Sequence, residues 1–252
     1  MALLETDNLV KSFDGLVATD DVNISLEEGE RVSLIGPNGA GKSTLINLIT
    51  RRLDPTEGDI RFKGESITDL EPHEVVQKGV SKSFQTASIF PDLTVEENAR
   101  IAALASEEGS FGFNFLKHWR NYGNVDGLAR DSLESVGLLD QRDVTAKDLP
   151  YGDKRRLEIA LALAGEPDLL LMDEPTAGMS PDETASTVEL IEEVYDRLDL
   201  TFLLVEHDME IVFSISDRII VLNRGEVIAD GTPEEVRGDP DVQEAYLGGV
   251  DE

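Results

Sequence analysis

The segment from Gly36 to Thr44 constrains the fold most, because it has the spacing G-x-x-x-x-G-K-[ST]. Glycines at these places let backbone N–H groups turn inward around phosphate oxygens. The loop consists of Gly36, Pro37, Asn38, Gly39, Ala40, Gly41, Lys42, Ser43 and Thr44. A short apolar strand, Arg31 to Ile35, precedes it, and apolar residues at helical spacing follow at Leu45, Leu48 and Ile49. This context predicts a phosphate-binding loop between a strand and a helix, rather than a glycine-rich turn that binds nothing.

Two loop side chains and a later pair of carboxylates predict the chemistry of the site. Lys42 is expected to reach the β- and γ-phosphates, and the Ser43 hydroxyl to coordinate Mg²⁺. The sequence Leu169-Leu170-Leu171-Met172-Asp173-Glu174 is typical of a buried strand that ends in two acidic residues. We expect Asp173 to hold Mg²⁺, directly or through water, and Glu174 to polarise an attacking water. Alone, such an acidic pair is usually only the start of a loop.

The remaining hydrophobic pattern alternates between strand and helix periods, which indicates a parallel α/β core. We predict strands at Val22–Glu27, Asp59–Ile67 (around a Lys63-Gly64 turn), Leu169–Asp173 and Thr201–Val205, and a hairpin at Ile219–Ala229 that turns at Asn223-Arg224-Gly225. Helices are predicted over about 96–146, with an interruption at Gly109–Gly127, and over Lys154–Ala164. With 252 residues, the chain has room for one large domain or two small ones.

Composition excludes several classes of function. There is no cysteine, so the chain has no disulfide, thiol nucleophile or cysteine-bound zinc. The net charge is −30, from 52 acidic and 22 basic residues, which argues against a nucleic-acid partner. The longest apolar runs fall far short of the roughly 20 residues of a membrane span. Such an acidic excess favours a salt-loving source organism, and an ordinary acidic bacterial protein is the alternative.

Six sequence elements, in order and spacing, resemble the ABC ATPase family from Phe13 to His207. They are Phe13 near the start, the phosphate loop, Ser83-Phe84-Gln85, Leu149-Pro150-Tyr151-Gly152-Asp153, the Asp173-Glu174 strand, and Glu206-His207-Asp208. The resemblance implies one α/β P-loop NTPase domain over residues 1–252. It would have a RecA-like core, an antiparallel β-subdomain and a helical subdomain of about residues 86–149.

The same resemblance implies roles for three residues outside the two nucleotide motifs. Phe13 would stack on the adenine ring of ATP, the alternative being a strand aromatic in the core. Gln85 would sense Mg²⁺ and the attacking water in a loop that couples to a membrane subunit, whereas an isolated glutamine is usually surface filler. His207 would contact the γ-phosphate as a switch residue, the alternative being a solvated side chain.

Two loops depart from the family pattern. The motif that is usually Leu-Ser-Gly-Gly-Gln closes over the γ-phosphate bound by the opposite subunit, and here it reads Leu149-Pro150-Tyr151-Gly152-Asp153. Pro150 supplies neither a hydroxyl nor an N–H, so one interpretation is a weak or silent composite site. Asp153 would bring negative charge near a phosphate or, alternatively, cap the helix that follows. Ser180 stands where Asp is usual, which is compatible with a heterodimer that has one degenerate ATP site.

Within the family, the chain is most similar to ATP-binding subunits of high-affinity branched-chain amino acid importers. The features are Tyr151 with Arg155-Arg156-Leu157-Glu158-Ile159, the Gly109–Gly127 segment, and the tail from Gly231 to Gly248. The resemblance implies an ATPase on the cytoplasmic face of the membrane. Its partners would be permease subunits, a second ATPase subunit as homo- or heterodimer and, indirectly, a solute-binding protein. Urea or short-amide importers, lipopolysaccharide exporters, a soluble non-transport ABC ATPase and a non-hydrolysing regulatory subunit are the alternatives.

Overall fold

The computed structural model describes residues 2–83, 89–108, 124–198 and 200–247. Gln85 and most of the segment from Gly109 to Gly127 therefore lie outside the described residues. The chain divides into two compact units. The first unit is Met1–Pro72, Leu171–Pro175 and Thr201–Glu252, and the second is His73–Leu170 and Thr176–Leu200.

Strands and helices alternate after an initial run of strands. The first elements are β1 (Ala2–Phe13), β2 (Leu16–Val22), β3 (Ser25–Glu27), β4 (Arg31–Ile35), α1 (Lys42–Ile49), β5 (Glu57–Phe62), β6 (Glu65–Ser66), α2 (Pro72–Gln77) and β7 (Val80–Ser83). They are followed by α3 (Val95–Glu108), α4 (Val125–Ser135), α5 (Tyr151–Leu163), β8 (Leu169–Asp173), α6 (Pro181–Leu198), β9 (Thr201–Val205), α7 (Met209–Ile215), β10 (Arg218–Asn223), β11 (Glu226–Gly231), α8 (Pro233–Gly238) and α9 (Pro240–Leu247). None of the described helices is both long enough and apolar enough to span a bilayer.

An antiparallel sheet in the first unit has the strand order β2-β1-β5-β6, with β3 also paired to β1. The β5–β6 hairpin turns at Lys63 and Gly64, which both have positive φ, as a tight hairpin turn requires. The turn predicted there is confirmed.

The single strand predicted from Val22 to Glu27 is wrong. Strand β2 ends at Val22, and β3 begins only at Ser25. Just before the break, Asp21 has φ +50°, and its carbonyl accepts a hydrogen bond of 2.8 Å from Asn23 Nδ2. This local turn competes with the strand, a behaviour typical of Asn and Asp that the alternating pattern does not reveal.

The Asp59 carboxylate stabilises the β5–β6 hairpin. It accepts hydrogen bonds from Ser66 Oγ and Thr68 Oγ1, both at 2.6 Å, and from Arg61 Nε at 2.9 Å. Burial acts to raise the pKa of Asp59, but these hydrogen bonds and the Arg61 charge outweigh it and lower the pKa to about 2.

The core sheet follows the predicted parallel pattern. Strands β10, β4 and β9 pair in parallel, β11 pairs antiparallel with β10, and the order is β11-β10-β4-β9-β8. Every residue of β8 and β9 is buried, as in a sheet covered on both faces. Strand β8 begins in the second unit and ends in the first. The ends of β4, β8 and β9 lead into the phosphate loop, Glu174 and Glu206, the edge where α/β sheets bind ligands.

The second unit contains helices α3 to α6. A capping box begins α3, because Thr94 N donates to Glu97 Oε2 at 2.8 Å and Glu97 N donates to Thr94 Oγ1 at 3.1 Å. A buried cluster of Ala103, Val125, Leu128 and Ala164 joins α3, α4 and the end of α5. These helices agree with the predicted helical stretch, whereas the boundaries of the helical subdomain, about 86–149, stay a prediction.

The C-terminal helices pack against the strand that leads into the phosphate loop. Val236 of α8 and Val242 of α9 are buried in one cluster with Ile35, the last residue of β4, and Tyr246 packs against that cluster. Helix α8 begins with a capping box formed by Thr232 and Glu235.

Candidate functional site

The phosphate loop connects β4 to α1, as predicted. Gly41 precedes the helix with φ +107°, a conformation that side-chain-bearing residues rarely adopt. The ammonium of Lys42 is held across the loop, where Nζ donates to the carbonyl of Gly36 at 2.6 Å and to that of Pro37 at 3.0 Å. Ser43 is exposed in the first turn of α1. A loop of this shape presents backbone N–H groups and a helix N-terminus to an anion.

Segments distant in sequence fix the outer side of this loop. A Cβ at Gly41 would overlap the backbone carbonyl oxygen of Ala18 in β2, and one at Gly36 would overlap that of Leu222 in β10. The amide of Gly225, in the β10–β11 turn, donates to the Ala40 carbonyl at 2.9 Å. Sequence reasoning did not identify these contacts, because no residue spacing links the loop to Ala18, Leu222 or Gly225.

The two predicted carboxylates lie in the electrostatic environment of Lys42. Partial burial lowers the pKa of Lys42, and the charges of Glu174 and Asp173 act in the opposite direction. Asp173 is buried at the end of β8, whereas Glu174 is half-buried. The structure thus brings Lys42, Asp173 and Glu174 to one site in the first unit.

Glu174 has an unusual backbone for a residue with a side chain. Its φ is +48°, and its amide donates to the Val205 carbonyl at the end of β9, at 2.8 Å. Non-glycine residues held at positive φ cluster at functional sites, where the surrounding structure enforces the conformation. Here the hydrogen bond to β9 holds the turn that presents the carboxylate.

His207 directly follows the same β9 edge. Its imidazole is 66% exposed, and Nδ1 lies 3.6 Å from Oε2 of the buried Glu206. The His207 amide also donates to that carboxylate, at 3.0 Å. Asp208 then caps α7, since its side chain accepts from the Glu210 amide. The histidine is therefore an accessible side chain on a fixed backbone, and its contact with a γ-phosphate stays a prediction.

Phe13 ends β1 and is not a core residue. Its side chain is 41% exposed, and Lys11 Nζ lies 5.0 Å from the centre of its ring. This exposure excludes the buried-aromatic alternative. Adenine stacking by Phe13 nevertheless stays a prediction.

Two oxygen donors of the first unit fit a magnesium site. Ser43 offers an accessible hydroxyl, and Asp173 offers a carboxylate beside the phosphate loop. Mg²⁺ in such sites takes its remaining ligands from phosphates and water, so one hydroxyl and one carboxylate are a sufficient protein contribution. The third predicted metal residue, Gln85, lies outside the described residues.

The Leu149–Asp153 loop belongs to the second unit, where it begins α5. The helix starts at Tyr151, with Pro150 as N-cap and no side-chain cap. The interpretation of Asp153 as the cap is therefore wrong, because Asp153 lies in the first turn and accepts a hydrogen bond of 3.1 Å from Gln141 Nε2. Tyr151 is 56% exposed, and a Cβ at Gly152 would meet nothing within 4 Å. This helix start is an accessible surface.

Ser180, the other departure from the family pattern, caps helix α6. Its amide and hydroxyl both donate to Glu183 Oε2, at 2.9 and 2.8 Å. Serine suits this position because its side chain can cap the N-terminus of a helix. The cap does not bear on ATP turnover, so the heterodimer with one degenerate ATP site stays a prediction.

Two family models and several named relatives match the chain. Residues 19–177 match the family model described as ABC transporter, and residues 226–252 match the one described as branched-chain amino acid ATP-binding cassette transporter. The high-affinity branched-chain amino acid transport ATP-binding protein BraF of Pseudomonas aeruginosa is 42% identical over 249 residues, which are 98% of each chain.

Solved structures give the same result. The ADP conformation of MJ1267, an ATP-binding cassette of an ABC transporter, has a TM-score of 0.85 and 34% identity, covering 98% of this chain and 99% of that one. The dimeric post-hydrolysis state of the cassette MJ0796, bound to ADP and Pi, has a TM-score of 0.73 and 26% identity, covering 91% and 98% of the two chains.

Proposed function

The chain belongs to the ABC transporter family as an ATP-binding, ATP-hydrolysing subunit, and on this premise we propose that it energises the import of branched-chain amino acids. The observation that carries the choice of solute is the match of residues 226–252 to the branched-chain amino acid transporter model. BraF, which is similar over nearly the whole chain, supports the same solute class.

The proposed location is the cytoplasmic face of a membrane, in complex with permease subunits. Membrane-spanning chains would form the solute pathway, since no described helix of this chain is suited to span a bilayer. A second ATPase subunit, a copy or a homologue, would complete the assembly, as the dimeric structure of MJ0796 suggests. The solute-binding protein would contact the permease rather than this chain.

The residues of the first unit suit phosphoryl transfer from ATP to water. The phosphate loop would hold the phosphates through its backbone N–H groups, and Lys42 would stabilise the charge that develops on the outer phosphates. Glu174, positioned by its hydrogen bond to β9, would orient the attacking water and accept its proton. Ser43 and Asp173 would hold Mg²⁺, which would supply positive charge to neutralise the phosphates.

The start of α5 is the surface proposed to face the ATP of the opposite subunit. Tyr151 is exposed there, and a Cβ added at Gly152 would meet nothing within 4 Å, so another chain would have close access to the backbone on that side. Helix N-termini carry unsatisfied N–H groups that suit a phosphate. The carboxylate of Asp153 opposes that attraction, although its contact with Gln141 holds it within the unit.

Transport assays with a matched pair of variants test this proposal. Glu174→Gln is expected to keep nucleotide binding while ATPase activity and uptake of labelled leucine, isoleucine and valine fall by about 100-fold or more, as for loss of a general base. Glu210→Gln, at an exposed position in α7, is the control and should leave uptake unchanged. Uptake of urea in place of these amino acids would reject the solute, and purification without any membrane protein would favour the soluble class.

A further inference from the structure

The turn between β10 and β11 contacts both the phosphate loop and strand β2 through one buried residue, Gly225. The amide of Gly225 donates to the Ala40 carbonyl of the loop at 2.9 Å, and its carbonyl accepts from the Asp20 amide of β2 at 2.8 Å. Backbone hydrogen bonds of this length restrict the groups that they join, because each requires a defined direction as well as a distance. The loop and β2 are therefore joined through the two peptide groups that flank a single α-carbon.

Strand β2 also lies directly against the loop beside this bridge. A Cβ at Gly41 would come within 2.4 Å of the Ala18 carbonyl oxygen and 3.6 Å of the Gly225 α-carbon. A Cβ at Gly225 would lie 3.1 Å from the same Ala18 oxygen. The three backbones thus approach one another at a point where the two glycines leave no room for a side chain.

Strand β2 belongs to the hairpin that carries Phe13. The last pair of β1 and β2 is Phe13–Leu16, and the turn between the strands consists of Asp14 and Gly15, which both have positive φ. Phe13 lies beside this turn with an exposed ring, which is predicted to stack on adenine. The contact of β2 with the phosphate loop therefore links the part of the site expected to hold the base to the part expected to hold the phosphates.

A second hairpin separates this contact from the needs of the turn itself. Lys63-Gly64 in the β5–β6 hairpin and Arg224-Gly225 in the β10–β11 hairpin are both two-residue turns, and all four residues have positive φ. A Cβ at the exposed Gly64 would meet nothing within 4 Å, whereas one at Gly225 would press on the Ala18 backbone. Hairpin geometry accounts for both glycines, and the close approach of β2 is an additional requirement at Gly225 alone of the two.

We propose that Gly225 is a positioning residue for nucleotide binding, which holds the β1–β2 hairpin at a fixed spacing from the phosphate loop. One nucleotide can then place its base against Phe13 and its phosphates in the loop at the same time. Parts that are already correctly spaced lose less entropy on binding than parts that move independently, so Gly225 raises affinity without contacting the nucleotide. The proposal rests on nucleotide binding and on the predicted stacking of Phe13, and not on the identity of the transported solute.

A methyl group at position 225 would disturb one side of this bridge. The three atoms nearest to such a Cβ all belong to Ala18 and Thr19 of β2, at 3.1–3.3 Å. These separations are shorter than ordinary van der Waals contact and the atoms are backbone, so β2 would have to move by a few tenths of an ångström. The hydrogen bond to Ala40, on the other side, can remain. We therefore expect the hairpin to be displaced and the phosphate loop to keep its shape.

Binding of two probes to the full chain measures this displacement. ADP would contact both parts of the site, whereas inorganic pyrophosphate would contact the phosphate loop alone. For Gly225→Ala we expect the Kd for ADP to rise about five-fold, at the low end of what stacking of one base supplies, while the Kd for pyrophosphate stays within about two-fold of the wild type. Phe13→Ala should give the same pattern. The matched control Gly64→Ala, which strains the same kind of turn, should leave both constants unchanged.

Gly225→Asn separates the contact with β2 from strain in the turn, and it also serves if Gly225→Ala does not fold. Asparagine tolerates positive φ better than alanine but adds the same Cβ beside Ala18. This variant should therefore unfold at a higher temperature than Gly225→Ala and show at least the same loss of affinity for ADP.

Four results would overturn the proposal. One is a Kd for ADP within about two-fold of the wild type in both Gly225 variants. Another is an equal rise in the Kd for pyrophosphate, which would place the defect in the loop itself. A similar loss in Gly64→Ala would point to a general loss of stability, and an unchanged Kd for ADP in Phe13→Ala would mean that the hairpin holds no part of the nucleotide. Transport of a different solute would leave all these constants as expected and would reject only the proposed function.

Discussion

Two glycines of the phosphate loop should respond very differently to the same substitution. Gly41 and Gly39 both have positive φ, at +107° and +79°. A methyl group at Gly41 would overlap the carbonyl oxygen of Ala18, whereas one at Gly39 would meet nothing within 4 Å. Gly41→Ala therefore adds a steric clash to backbone strain, and Gly39→Ala adds strain alone.

The magnitude follows from these contacts. An alanine at positive φ costs about 1–3 kcal/mol, and stabilisation through the unfolded chain offsets about 0.4–1 kcal/mol of it. The overlap at Gly41 adds about 1–3 kcal/mol, because Ala18 is backbone in β2, and β2 is held to β1 by the neighbouring pairs Lys11–Thr19 and Ser12–Val17. We expect Gly41→Ala to cost about 2–5 kcal/mol, and Gly39→Ala about 1 kcal/mol.

Thermal unfolding of the nucleotide-free chain measures the difference. At about 2–4 °C per kcal/mol for a chain of this size, Gly41→Ala should lower Tm by roughly 10 °C and Gly39→Ala by no more than about 4 °C. Because no nucleotide is present, the change in Tm reports the stability of the folded chain and contains no contribution from nucleotide affinity. Equal losses of Tm in the two variants would refute the contact between Gly41 and Ala18 as the cause, as would a Gly41→Ala protein as stable as the wild type.

Three further outcomes are expected. The pKa of Asp59 is lower in the folded chain than its unfolded value of about 3.9, so the ionised carboxylate stabilises the fold above that pH. This stabilisation is lost as pH falls toward 2. The urea midpoints of wild type and Asp59→Asn should therefore converge as pH falls through this range. Thr232→Ala should cost about 0.5–2 kcal/mol in urea unfolding by removing the capping box with Glu235, whereas Thr232→Ser should be nearly neutral. Stability should rise with potassium chloride and level off near molar concentration, and a flat response would reject the salt-loving hypothesis.

Sequence patterns predicted the parts of the fold that depend on local physics. Strands β4, β8 and β9 were predicted with the bounds that the structure shows, because each is a short apolar run between clear turn signals. The start of α5 was placed too late. Pro150, whose φ is fixed by its ring, occupies the N-cap position, so the helix begins at Tyr151 rather than after the more familiar capping residue Asp153.

The nucleotide motifs were predictable because their residue types are required by the chemistry. Asp173 and Glu174 lie in the electrostatic environment of Lys42, whereas the roles of the three residues in hydrolysis stay predictions. The contacts of Ala18 and Gly225 with the loop were not predictable, since backbone carbonyls and amides carry no distinctive spacing. They depend on which strands become neighbours in the folded sheets, and local sequence patterns do not reveal that pairing.

The chain has a net charge of −30, and the nucleotide that an ABC ATPase binds is itself a polyanion. Attraction and repulsion between the two act over different distances, the attraction at short range and the repulsion at long range. In the proposed site, the attraction would come from backbone N–H groups and from Lys42, which would act at contact distance in a partly buried loop and be weakly screened. The repulsion comes from carboxylates spread over the surface, including Asp241 and Glu244 at a cavity beside the loop. Molar salt shortens the screening length to about 3 Å, which removes the second contribution and leaves most of the first. The acidic surface and a nucleotide-binding phosphate loop are therefore compatible in concentrated salt.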